Sequence, residues 1–148
     1  MIDFLYKRNI KAEGTTLPNE HVYSILVLLE NASMSEIVRS TLSEMPKIKD
    51  LFLIVIRSIE VKDNMQLVSS LIQFISNLCY GTGKFRKMLA QEPPVEFLET
   101  IENILQITSK KTTEDEKKTD WDLEGKRVLL KGAVLGFVGN LCVELKLR

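Results

Sequence analysis

The sequence repeats itself: residues 74–79 read FISNLC, residues 137–142 read FVGNLC, and a fainter copy, LLENAS, occupies residues 28–33. An apolar phrase that returns at intervals of tens of residues marks a stack of similar supersecondary units, each too small to bury its apolar face alone. Such a chain must pack layer on layer. It then offers a long surface on which to bind, and no enclosed pocket in which to do chemistry.

The hydrophobic spacing identifies the units as helical. Over residues 63–80, Leu67, Leu71, Ile72, Ile75, Leu78 and Cys79 recur at steps of three and four, and Val68 and Phe74 widen the stripe. A helix with so broad an apolar arc packs on two sides, as a middle layer does. Asp63 and Gln66 stand in the relation of a capping box at its start. A second box, Ser33 to Glu36, predicts a short helix with Ile37, Thr41, Leu42 and Met45 on one face, closed by Pro46. Residues 47–60 follow with Ile48, Leu51, Phe52, Val55 and Ile59 as their stripe. The run LFLIVI within them also suits a buried strand, but the fourteen-residue setting and the lack of a hairpin partner favour helix.

Aligning the units on Asn31, Asn77 and Asn140 gives a common order of short helix, second helix and long helix. Arg39 lies eight residues past Asn31, and Arg86 nine past Asn77. The asparagines are 46 and then 63 residues apart. The 17-residue excess matches residues 109–124, SKKTTEDEKKTDWDLE, which have no apolar period and are expected to be a disordered insertion. One domain over 1–148 results, with a partial first repeat (1–33), a second (34–80) and a third (81–148). Helices are expected at 2–8 and 20–32 in the partial repeat. A chain that opens in mid-repeat is expected to be a fragment of a larger repeat protein or a subunit of a complex, its end faces covered by self-association or by another chain.

Composition narrows the function classes. Hydrophobic residues are 45% and charged residues 27%, a globular balance. Twenty basic residues cancel twenty acidic ones, so no overall field draws in nucleic acid or an anionic membrane. The longest apolar run, 133–143, is about half of the roughly 20 residues a spanning helix needs. With no secretory leader and with Cys79 and Cys142 at equivalent places in two repeats, reduced core thiols and an intracellular, cytoplasmic or nuclear setting are expected.

The order of short, second and long helix, ending in aliphatic–x–Asn–Leu–small, resembles the armadillo repeat, and the resemblance covers nearly all the chain outside 109–124. It implies an all-α, armadillo-like right-handed α-solenoid of about two and a half to three repeats. It also implies a non-catalytic scaffold or adaptor that binds an extended or helical segment of another protein along its third helices. In peptide-binding members the signature asparagine projects into a concave groove and bonds the ligand backbone. Asn77 and Asn140 match that asparagine, and Asn31 matches it more faintly. The tryptophan that such members place four residues earlier, to receive lysines, is replaced here by Val27, Gln73 and Gly136. The resemblance therefore does not extend to basic nuclear-import signals. Some armadillo proteins act as exchange factors or co-chaperones on nucleotide-binding partners, which is the alternative function.

Read without the family, the asparagines equally suit helix C-terminal capping, since asparagine tolerates the left-handed region and satisfies loose backbone groups. Stepping back from Asn77 by helical turns meets Gln73, Ser70 and Gln66, a polar strip suited to an extended peptide. From Asn140 the same steps meet Gly136, Ala133 and Leu129, which suit close packing. Trp121 lies alone between Asp120 and Asp122 and either pins the insertion to the stack or anchors a partner.

The patterns that suggest chemistry dissolve in context. Gly81-Thr82-Gly83-Lys84 lacks the strand, the loop length and the following Ser or Thr of a phosphate loop and reads as a turn. His21 is the only histidine and has no ligand set or triad around it. Glu96, Glu99 and Glu102 share a helical face that reads as solvated, and Lys84, Arg86 and Lys87 read as ordinary surface. No enzymatic activity, cofactor, metal or small-molecule substrate is expected.

Overall fold

The computed structural model describes residues 19–45, 48, 61, 64–81, 83–91, 95–109 and 121–145. Among these residues the protein is all-α, with six helices and no strand: α1 (Asn19–Ala32), α2 (Glu36–Ser43), α3 (Met65–Gly81), α4 (Gly83–Gln91), α5 (Val95–Ser109) and α6 (Trp121–Leu145). The helix expected at 2–8 lies outside the described residues, as does that at 47–60 apart from the buried, helical Ile48.

Helix α3 organises the rest. Its sequence, MQLVSSLIQFISNLCYG, contains no charged residue, so it can be covered over a wide arc without desolvating an ion. It packs against α1 on one side and α6 on the other, with α2 and α4 at its flanks. Helix α6 in turn packs on α4 and α5. The core follows from this arrangement: Val22, Leu26 and Leu29 of α1 and Leu130, Val134 and Phe137 of α6 are buried with the α3 residues Val68, Leu71, Ile72, Phe74, Ile75 and Leu78. Phe85, Leu89 and Ile104 close it from α4 and α5.

Two local expectations are corrected. Ser33 is not an N-cap: α2 begins after Ser35, whose backbone is extended and whose side chain makes no capping bond. Ser33 is buried instead, its hydroxyl donating to the Glu30 carbonyl at 2.6 Å. A Ser-x-x-Glu pattern is a local signal, and here the end of the preceding helix claims the serine first.

The second correction concerns the stretch 109–124. Ser109 is the last residue of α5, and α6 is already helical from Trp121, so only 110–120 lie outside the described residues. The early start of α6 has local causes. Asp122 and Glu124 sit in its first turn, where the helix dipole favours negative charge. Asp122 pairs with Lys126 one turn on, and Leu123 packs against the core.

Candidate protein-binding groove

Helix α3 packs between α1 and α6, and an asparagine bonds across each of the two contacts, to a hydroxyl at a different register in each case and to an equivalent carbonyl at longer range. Asn77 Nδ2 on α3 reaches back to α1, donating to Ser33 Oγ at 3.0 Å and, at 3.5 Å, to the Glu30 carbonyl. Asn140 Nδ2 on α6 reaches back to α3, donating to Ser76 Oγ at 2.9 Å and to the Ser76 carbonyl at 3.4 Å. Glu30 immediately precedes Asn31, and Ser76 immediately precedes Asn77, so each asparagine grips the equivalent carbonyl one layer back.

The arginines repeat in the same register. Arg39 Nη1 donates to the Ser33 and Met34 carbonyls at 3.0 and 2.8 Å, and Arg86 Nη1 donates to the Cys79 carbonyl at 3.3 Å. Ser33 and Cys79 stand two residues past their asparagines, and both are buried. A cation at a helix C-terminus satisfies carbonyls that lack intrahelical partners and meets the negative end of the dipole. At α1 the accounting is complete: the Leu29, Asn31 and Ala32 carbonyls accept from the Ser33, Met34 and Ser35 amides, and the Glu30 carbonyl from Ser33 Oγ.

Packing on both sides leaves α3 one uncovered arc, made of Gln66, Ser69, Ser70, Gln73, Asn77 and Tyr80, all exposed or half-buried. This is the polar strip read from the sequence, extended by Ser69 and Tyr80. Gln73 Nε2 donates to Asn77 Oδ1 at 3.1 Å, so the amide that ties α3 to α1 is itself oriented from the strip. Gln66 Nε2 donates to the Tyr23 hydroxyl of α1 at 2.8 Å.

Around the start of the strip the three helices form a groove. Two adjoining clefts of about 200 Å³ each share Tyr23, Gln66 and Lys126 as walls. One extends to Glu20 and Asn64, the other to Glu30, Ser70 and Leu129. Gln66 and Ser70 thus lie in the groove, Gln73 and Asn77 follow them along α3 but line neither cleft, and Asn140 lies on α6 beside Ser76. The side chain of Trp121 lies outside the described residues. Wall residues that escaped the sequence reading include Tyr23, Glu30, Asn64 and Lys126. The steps applied to Asn77, taken back from Asn31, meet Val27, Ser24 and Glu20, so they find the Glu20 end of the groove and pass beside Tyr23. Lys126 is held by Asp122, a pairing legible as an i, i+4 contact once α6 is known to start at Trp121.

Amide, hydroxyl and phenol groups in this arrangement can donate to and accept from an extended backbone, with Leu129 and Tyr23 offering apolar contact. Cys79 is poorly placed for nucleophilic chemistry. Both cysteines are free, and burial pushes the Cys79 thiol from 9.0 up to about 12, the nearby Arg86 cation drawing it back only in part. His21, Glu99 and Glu102 are exposed, as are Lys84 and Lys87, while Arg86 is half-buried against α3. Among the described residues no group of three or more His, Cys, Asp or Glu side chains is placed to hold a metal ion, and no helix is long and apolar enough to cross a membrane. Comparison of the chain with protein-family models, with curated proteins and with solved structures returns no match.

Proposed function

We propose that this protein is a non-catalytic interaction module, an armadillo-like right-handed α-solenoid of two and a half to three repeats that binds a segment of another protein. In this reading α1, α3 and α6 are successive third helices. The observation that supports it most is the pair of register-equivalent bonds from Asn77 to the Glu30 carbonyl and from Asn140 to the Ser76 carbonyl. Bonds from equivalent asparagines to equivalent carbonyls are what stacking of like units would produce. The free thiol of Cys79, packed as a small hydrophobe, supports a reducing compartment, cytoplasmic or nuclear.

The groove favours an extended segment. Its floor presents side-chain amides and hydroxyls at steps of one helical turn, able to pair with a peptide backbone whose own side chains fall in alternate pockets. Peptides selected for binding from a random display library should lose about tenfold in affinity when Gln66 and Gln73 are both replaced by alanine, at about 0.5–1.5 kcal/mol per hydrogen bond. Leu129→Glu, at an exposed wall position, should weaken the same peptides. Unchanged affinity in both variants would remove the groove from the account. A peptide-bearing partner that hydrolyses nucleotide should show the same nucleotide release rate with and without the module; accelerated release would favour the exchange-factor alternative instead.

A further inference from the structure

Where the two clefts of the groove adjoin, α1 and α3 are joined by a side-chain pair with hydrogen-bonding capacity to spare. Gln66 Nε2 donates to the Tyr23 hydroxyl at 2.8 Å, and both residues wall both clefts. The Tyr23 ring packs against the core, and Gln66 stands between the buried Met65 and Leu67, so each polar tip is held by a fixed base. Their mutual bond uses one N–H of the amide and one lone pair of the phenol. The phenol O–H, a donor, and Gln66 Oε1, an acceptor, have no other partner among the described residues. A donor and an acceptor fixed side by side are the complement of a backbone C=O and N–H.

We propose that Tyr23 and Gln66 together bind the main chain of one residue of an extended partner segment, the phenol donating to its C=O and Gln66 Oε1 accepting from its N–H. This rests on the reading of the groove as a peptide site, and it names the groups that fix the segment's register there. The N–H and C=O of an extended residue point to the same edge, so one residue satisfies both members of the pair. Position favours the main chain over a side chain. The pair stands between the clefts, and the clefts themselves, at about 200 Å³ each, have room for the flanking side chains; a cavity of roughly 150 Å³ already holds a benzene ring. The two side chains are bonded to each other before the segment arrives, so little rotamer freedom is lost on binding. Proline, which has no N–H, is excluded from the residue at the junction and from no other on this account.

Backbone N-methylation of a peptide selected from a random display library, one residue at a time, tests this on the full chain. The expected result is a position at which N-methylation weakens binding by about tenfold, and at which the same change costs nothing further against Gln66→Ala, as a shared contact requires. Tyr23→Phe, which keeps the ring and its packing, should weaken the unmodified peptide by a similar factor. The bond between the two side chains is exposed, so both variants keep the fold. A scan that is flat along the peptide, or unchanged in Gln66→Ala, overturns the proposal, as does a Tyr23→Phe variant that binds as well as the wild type. Leu129→Glu separates this failure from failure of the groove. Affinity lost in Leu129→Glu beside a flat scan removes the pair and leaves the groove; affinity unchanged there, or a library that yields no binder, removes both.

Discussion

Replacing Asn140 with alanine removes the donor that reaches the Ser76 hydroxyl, which is buried in α3. A buried polar group that loses its partner costs about 1–3 kcal/mol, so Asn140→Ala should lower the unfolding free energy from urea titration by that much, with a lower midpoint and an unchanged slope. Asn77→Ala should cost at least as much, since the same amide serves Ser33 and Glu30 and accepts from Gln73. Gln73→Ala, at a half-buried edge, should cost less than about 0.5 kcal/mol; an equal loss at all three positions would show that the asparagine bonds do not tie the layers. Cys79 gives a different signature. Its thiol ionises near 9.0 when unfolded and at about 12 when folded. The neutral form is thus favoured in the fold, and the associated stability is full below pH 9 and lost as pH rises from 9 towards 12. The alkaline loss should be shallower in Cys79→Ala than in the wild-type chain, by up to about 1.4 kcal/mol per pH unit. With a thiol reagent at neutral pH, Cys142 should react first and Cys79 only on unfolding; equal rates would contradict the burial of Cys79.

Helix α6 is where propensity and packing diverge. Gly125, Gly132, Gly136 and Gly139 all lie inside it, and none has a neighbour that a methyl group would strike. Exposed helix-interior glycine costs about 0.5–1 kcal/mol relative to alanine, so Gly136→Ala should raise the stability of dilute protein by that amount. Destabilisation instead would contradict the open space beside Gly136. Phe137, by contrast, is buried in the core, and Phe137→Ala should cost about 3–5 kcal/mol. The sequence made α3 legible, because Leu67, Leu71, Ile75 and Leu78 keep helical spacing with no charge between them. It hid the start of α6, because WDLE offers a single aliphatic residue, Leu123, whose role is set by a core that periodicity does not see. The box at Ser33 misled for a related reason: Asn77, distant in sequence, and Glu30, one turn back, decide what that hydroxyl does.

Across the whole molecule, the two helices that carry FISNLC and FVGNLC, α3 and α6, pack on each other, and Asn140 of the second bonds Ser76 of the first. Gln66, Ser70, Gln73 and Asn77 were legible as a strip because they recur at steps of one helical turn, whereas Ser69 beside them and the buried Ser76 fall outside those steps. The walls of the groove were not, because Tyr23, Glu30 and Lys126 become neighbours only when α1 and α6 are laid on either side of α3. The central claim is that this three-helix face receives a partner segment, and site-specific photo-crosslinking tests it most directly. A photoreactive side chain at Ser70 or Leu129 samples the groove, and one at Glu102 samples the exposed face of α5 as the control. In extract from cells expressing the protein, Ser70 and Leu129 should capture the same partner through one continuous peptide segment, and Glu102 should not. Capture from Glu102 alone, or equal capture of unrelated proteins at all three positions, would contradict the account.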